Sequence, residues 1–398
     1  MRSLSVVLLI SGFLFQTFLS FSEPRTKPNI LLFMADDMGL GDTSAYLKIS
    51  VIKGSKPITK TLKTPNFESF AKQSMIFTDA HAPASMCSST RYSLLTGRLP
   101  HRSYLKGQGW LPHGPNRPMI QRGITTLPEM LQRNGYFTAA IGKYHVGMDF
   151  DDGDGKPANE FDYKDVDFTK SLLDGPTHHG FNQFFGVPGN TEDSLDTEPR
   201  IYIRDNKWSF TDRSKMYWTG MKHREGQILS GPHWDLAQLG PDFLKEGLQF
   251  IQMASQKKNP FFLYYVPTAN HFQRNLNGDY AVPEFLHGEP IRGASKYTDG
   301  QKGGEREDMV LENDVAFGAL IQKLKETEDP RSPGKKLIEN TLIIFTSDNG
   351  PNVGDNEGTN QESGELRGKK AKLWEGGHRV PFVLYWKGIF ENGQINPN

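Results

Sequence analysis

Four short apolar runs punctuate the chain, and each gives way almost at once to polar residues. Asn29 to Met34 (NILLFM) is followed by Ala35-Asp36-Asp37, and Phe137 to Lys143 (FTAAIGK) by Tyr144-His145. Phe261 to Val266 (FFLYYV) is followed shortly by Asn270-His271, and Thr341 to Ser347 (TLIIFTS) by Asp348-Asn349-Gly350. Continuous runs of this length, rich in β-branched and aromatic residues, predict strands buried on both faces, as in a parallel sheet.

Helical patterns lie between them. Thr64 to Ser74 opens with Thr-Pro and puts Phe67, Phe70 and Ala71 on one face. Thr125 to Tyr136 offers Thr126 as N-cap, Met130 and Leu131 as inward residues and Gly135 as a stop. Asp308 to Glu328 aligns Val310, Leu311, Val315, Phe317, Leu320, Ile321 and Leu324. Strands alternating with helices predict an α/β fold, in which ligands gather beyond the carboxyl ends of the strands. Every polar cluster named above falls there, so one site is expected from four distant pieces of chain.

Asp36, Asp37, Asp348 and Asn349 are all oxygen donors. Brought together, they suit a hard cation, Ca²⁺ before Mg²⁺, and not zinc. Either pair taken alone reads as a cap or a turn. Their equivalent positions at strand ends favour the metal. Cys87 precedes Ser88 to Leu95, a run fit for two helical turns that stops at Gly97. A helix N-terminus seats an oxyanion, and Arg91 lies over the same helix face as Cys87. A lone cysteine is more often a buried structural residue. The polarity of Ser88, Ser89 and Thr90 argues against that here. Lys143 and His145 straddle one residue on an extended segment and are expected to point the same way. His271 follows a strand end, and Lys370 lies in a Gly-bounded loop beside Lys369 and Lys372. Singly, each of these bases reads as an ordinary solvated or core residue. His178 and His179 are taken as structural, and the acidic segment from Asp149 as a solvated loop without EF-hand spacing.

Cys87 is the only cysteine of 398 residues, so no internal disulfide forms. Lys plus Arg and Asp plus Glu are 46 each, which leaves no overall basic charge for nucleic acid. A charged start, an apolar stretch and a small-x-small exit mark residues 1–22 as a cleaved signal peptide. Residues 23–398 then form one exported catalytic domain, with no other run long enough to span a membrane.

Taken together these segments resemble the type I sulfatases of the alkaline phosphatase superfamily. The motifs NILLFMADDMGLGD, CSSTRYSLLTGR, GYFTAAIGKYHVG, HHGFNQFFG, FTSDNGP and LRGKKAKLWEGGHRVP carry the resemblance in order from Asn29 to Gly388. It implies a large, mostly parallel mixed sheet flanked by helices on both faces. It also implies that a maturation enzyme converts Cys87 to formylglycine, whose hydrated form attacks the sulfur of a sulfate ester. In that scheme Ca²⁺ is held by Asp36, Asp37, Asp348, Asn349 and an oxygen of modified Cys87. Arg91, Lys143 and Lys370 offset sulfate charge, His271 protonates the leaving alcohol and His145 takes the diol proton.

The sequence departs from the family pattern in two places. Ser89 stands where the family core usually has proline. The chain stops at Asn398, so the family's small C-terminal subdomain is expected to be missing. Export favours a sulfated saccharide as substrate, with His101 to Gly114, Tyr202, Trp208, Tyr217 and Trp218 as candidate cleft residues. Two other readings are a phosphate or phosphonate ester hydrolase, and a sulfated-glycan-binding protein in which Cys87 stays unmodified.

Overall fold

The computed structural model describes residues 26–52, 54–105, 118–159, 165–190, 199–221, 224–232, 234–271, 280–353, 361–364, 366–390 and 392–397, with backbone only at 218–221 and 224–228. Residues 1–22, read from the sequence as a signal peptide, and residues 106–114 of the expected cleft segment lie outside the described residues. The strands are β1 (Asn29–Ala35), β2 (Met75–Phe77), β3 (Phe137–Lys143), β4 (Gln183–Val187), β5 (Ile203–Arg204), β6 (Lys207–Trp208), β7 (Tyr217–Met221), β8 (Arg224–Ser230), β9 (Phe261–Val266), β10 (Phe285–Leu286), β11 (Glu289–Pro290), β12 (Thr341–Ser347), β13 (Phe382–Tyr385) and β14 (Ile395–Asn396). The α-helices are α1 (Pro65–Ala71), α2 (Cys87–Thr96), α3 (Leu127–Arg133), α4 (Leu239–Ala254), α5 (Glu305–Glu326) and α6 (Glu375–His378).

Ten strands form one sheet in the order β14-β2-β13-β12-β1-β9-β3-β4-β5-β6. Its middle, β12-β1-β9-β3-β4, is parallel throughout. Antiparallel pairings bring in β13 and β2 on one side and β5 and β6 on the other. All four long apolar runs are therefore central strands, covered on both sides. Alternate residues of each strand feed two separate cores. Leu31, Phe33, Leu263, Tyr265, Ile343 and Phe345 pack against α1, α4 and α5. Leu32, Met34, Phe262, Tyr264 and Ala140 face α2, α3 and the chain around Phe150 to Phe184. On the first face Phe67 stacks on Phe345 at 4.1 Å between centroids, and Phe317 meets Phe33 edge-on at 5.3 Å.

Several expectations need correction. Leu131 of α3 is buried, but Met130 is 44% exposed, because a seven-residue helix turns only one narrow face inward. Thr126 does cap α3, accepting from the Glu129 N–H at 3.2 Å. Tyr202 and Trp208 are engaged in packing among the described residues rather than set out as stacking surfaces. Tyr202 stacks on Phe185, and Trp208 packs edge-on between Phe150 and Phe168. In the acidic segment Asp151 is buried and accepts from the Gly153 and Gly155 N–H groups, so its described part is more than a solvated loop. His179 fits its structural reading, with Nε2 2.7 Å from Asp174 Oδ1.

Candidate active site

The parallel strands deliver their polar sequels to one point. Asp36 and Asp37 leave β1, Asp348 and Asn349 leave β12, Asn270 and His271 follow β9, and Lys143 ends β3. Gly142 makes the last of these possible. Its φ is +114°, and a Cβ there would lie 1.9 Å from the Val266 carbonyl oxygen of β9. Cys87 is the first residue of α2, and Arg91 one turn later projects into the same cluster. The segment before Cys87 is pinned to the Lys370 loop, where the Ala371 N–H donates to the Ser85 carbonyl at 2.9 Å.

The cluster is dense and buried. Asp36, Asp37, Arg91, Lys143, Asp348 and Asn349 are fully buried, and Cys87, His145, His271 and Lys370 nearly so. Lys143 Nζ donates to Asp36 Oδ2 at 2.7 Å, and Lys370 Nζ reaches Asp37 Oδ2 at 2.8 Å and Oδ1 at 2.7 Å. Arg91 donates through Nη2 to Asp36 Oδ2 at 3.1 Å and to Asp348 Oδ2 at 2.8 Å, and through Nη1 to the Lys143 carbonyl at 2.8 Å. Cys87 Sγ lies 3.4 Å from Asp36 Oδ1 and 3.8 Å from Asp37 Oδ1. His271 Nε2 is 3.8 Å from Asp37 Oδ2.

Burial alone would raise Asp36, but Lys143, His271, Arg91 and Lys370 outweigh it and hold its carboxyl well below the usual range. Burial together with the Asp36 charge pushes Asp348 up to about 6, against the pull of Arg91. Burial, then Asp348 and Asp36, raises the Cys87 thiol well above its ordinary value. Burial, Lys143 and Lys370 oppose a charged His271, yet Asp36 and Asp37 prevail and raise its pKa.

The expected residues are thus brought together, with three revisions. Ser88, Ser89 and Thr90 are buried despite their polarity, because such hydroxyls bond to backbone carbonyls, as Thr90 Oγ1 does to Ala84 at 3.1 Å. Lys143 and His145 do not share an extended segment. His145 has φ 51°, and its N–H donates to the Pro188 carbonyl at 2.8 Å. Finally, three buried cations already balance the three carboxylates, so carboxylate repulsion alone does not call for a metal ion. The amide of Asn349 is the better guide. Its Nδ2 donates to Asp37 Oδ1 at 2.7 Å, while its buried Oδ1 has no hydrogen-bond partner among the described residues. Exchanging the two ends of that amide aims a fourth oxygen into the carboxylate set, which is the donor chemistry of a hard cation. Two positioning residues carry almost no signal in the sequence. Asn270 Nδ2 donates to the Asp37 carbonyl at 2.7 Å, and Ser347 Oγ accepts from the Met38 N–H at 2.9 Å. Only their place at strand ends marks them out.

The sequence profile of the family described as Sulfatase matches residues 28–398. The chain belongs to the sulfatase family. Arylsulfatase G of Rattus norvegicus is 28% identical over 409 residues, covering 98% of this sulfatase and 66% of that protein. N-acetylgalactosamine-6-sulfatase of Sus scrofa is 28% identical over 378 residues, covering 93% and 59%. The chain therefore spans less than two thirds of the length of these curated relatives. A solved structure reported under the metabolism of multiple glycosaminoglycans by Bacteroides thetaiotaomicron superposes with a TM-score of 0.69 at 22% identity, over 93% of this chain and 74% of that one. The PsFucS1 sulfatase from Pseudoalteromonas sp. gives 0.61 at 27% identity, over 93% and 64%. The phosphonate monoester hydrolase of Agrobacterium radiobacter gives 0.50 at 18%, over 93% and 70%, a likeness of fold. The sheet is of the alkaline phosphatase-like sulfatase type.

Proposed function

We propose that this sulfatase hydrolyses a sulfate ester of a carbohydrate, using a formylglycine derived from Cys87 and a Ca²⁺ held by Asp36, Asp37, Asp348 and Asn349. The observation that carries this reading is the seat of Cys87, at a helix start, within 3.8 Å of two carboxylates and surrounded by Arg91, Lys143 and Lys370. Bound Ca²⁺ supplies positive charge for the sulfate oxygens and for the oxygen of modified Cys87. Arg91, Lys143 and Lys370 orient the sulfate and offset charge from fixed, water-excluded positions. His271, held near Asp37, retains a proton to give to the departing alcohol, and His145 accepts one when sulfate is expelled. Relatives whose names and titles speak of N-acetylgalactosamine-6-sulfate and glycosaminoglycans support a sulfated saccharide as the substrate class. Export through residues 1–22 and a formylglycine-generating or equivalent maturation enzyme belong to the same reading.

The test is mass spectrometry of the tryptic peptide Gln73 to Arg91 from protein made in its native host. A mass lowered by conversion of CH₂SH to CHO and trapped by a hydrazine reagent, together with sulfate release lost in Cys87→Ala, is the expected result. An unmodified thiol in every copy defeats the hydrolytic reading and leaves sulfated-glycan binding in its place.

A further inference from the structure

A second group of ligand-type side chains lies outside the catalytic cluster. His81, Glu375 and His378 offer ligand atoms that all lie within 4.8 Å of one another. His81 sits on the segment running from β2 towards Cys87, whereas Glu375 and His378 bound α6, just after Lys370. The two segments are laid side by side by a bridge between His81 and Arg379 and by the Ala82 N–H donating to the His378 carbonyl at 2.7 Å.

The two imidazoles confront each other through Nδ1 at 3.0 Å, with ring centroids 5.1 Å apart and planes 34° apart. The other nitrogen of His81, Nε2, lies 2.9 Å from Asp79 Oδ1, which claims its proton and leaves Nδ1 a lone pair. A proton shared between the Nδ1 atoms satisfies the pair as it stands. A metal ion can replace that proton, because two ligands bound at about 2.0–2.1 Å in tetrahedral geometry sit about 3.3 Å apart. Asp79 then acts as the carboxylate that orients a ligating histidine. Arg379 holds both carboxylates, with Nη2 3.1 Å from Asp79 Oδ1 and Nη1 3.2 Å from Glu375 Oε2, and so offsets part of their charge. Glu375, whose Oε2 lies 3.9 Å from His81 Nε2, stands close enough to supply a third ligand. The side chains of His81 and Glu375 are 39% and 47% exposed, which leaves water room to complete the coordination.

We propose that His81, His378 and Glu375 form a second metal site, for zinc or a similar borderline divalent cation, that clamps the approach to Cys87 onto the segment following Lys370. Imidazole donors separate it chemically from the all-oxygen set of the catalytic cluster.

The calcium-loaded full chain is titrated with Zn²⁺ by calorimetry and with Co²⁺ by visible absorption. One high-affinity Zn²⁺ per chain and a tetrahedral Co²⁺ band are expected, with affinity weakened at least about tenfold in His81→Ala and in His378→Ala. Binding is expected to persist in Cys87→Ala, which keeps both histidines. Thermal melting in EDTA shows that each variant is folded, and His81→Asn, at the more exposed position, replaces any that is not. Zn²⁺ binding that survives both histidine changes, that is lost in Cys87→Ala, or that is absent at micromolar metal overturns the proposal.

Discussion

Arg91 is charged, fully buried and answerable to two carboxylates at once. Truncating it strips Asp348 of its guanidinium bonds and leaves Asp36 with Lys143 as its remaining hydrogen-bonded cation. Arg91→Ala is expected to lower stability by about 3–5 kcal/mol, read as a fall in the urea midpoint with little change in slope. Lys370 also serves a buried carboxylate, but from the rim of the cluster. With calcium present, Lys370→Ala is expected to keep the fold by circular dichroism while sulfate release falls by about 10²–10³-fold. Residue identity at this scale was largely legible, because a charged group set directly after a buried strand is placed where a fold of this class collects its chemistry. Burial was not. The polar letters of Ser88, Ser89 and Thr90 suit a wet helix start as well as a buried one with its hydroxyls on backbone carbonyls, as Thr90 is on Ala84, and only packing chooses between them.

Elements were legible in proportion to how much of them is buried on both sides. β1, β3, β9 and β12 announce themselves as unbroken apolar runs, whereas β5, β6 and β14 are two residues long and carry no period at all. α5 shows a subtler gap. Its apolar positions were read correctly for the most part, but Glu312 on it is buried with neither carboxylate oxygen hydrogen-bonded among the described residues. It sits hard against α4, where a Cβ on Gly240 would lie 1.6 Å from Oε1. Burial pushes its carboxyl up to about 8. In the unfolded chain it titrates near about 4.3, so between these values the folded state keeps a proton the unfolded state has released. Stability is therefore fullest below the lower value and falls by about 1.4 kcal/mol per pH unit as pH rises towards 8, then levels off. Glu312→Gln is expected to remove that slope. Denaturant titrations at about pH 5 and pH 8 check this: the gain over the parent chain must grow between them. Turn geometry constrains the β12 sequel equally. A Cβ at Gly350 would lie 1.9 Å from the Gly376 carbonyl oxygen, and Gly350→Ala is expected to lose about 1–3 kcal/mol of stability by thermal melting.

The whole molecule gathers its chemistry at one edge of a wide sheet, and pieces more than 250 residues apart in sequence meet there, as Arg91 and Asp348 do. Under the proposed function, a cation held at that junction would tie strands together as well as serve the reaction. Removing calcium is expected to lower the melting temperature, and saturating calcium to restore about 2.7 kcal/mol at one hundred times Kd. Asn349→Ala is expected to shrink that calcium-dependent gain, and to lower the calcium-free melt as well because the Nδ2 bond to Asp37 is lost. The order of the strands could not be read from the sequence, since four equivalent runs fit several arrangements. Their shared polar endings gave the site before the topology did.

Asp37, His145, Asn270 and Ala371 all sit at positive φ, between 51° and 80°, in or beside the cluster. A chain selected for durability alone would put glycine at such places. Ala371, which brings no chemistry of its own, is where that exchange is cheapest: Ala371→Gly is expected to make the protein tougher by about 1 kcal/mol. At Asp37, His145 and Asn270 the same exchange would trade away groups that line the candidate site. The positive φ at these places is thus a conformational cost kept beside the candidate site, and a search for hardier variants that ignores activity would replace those side chains first.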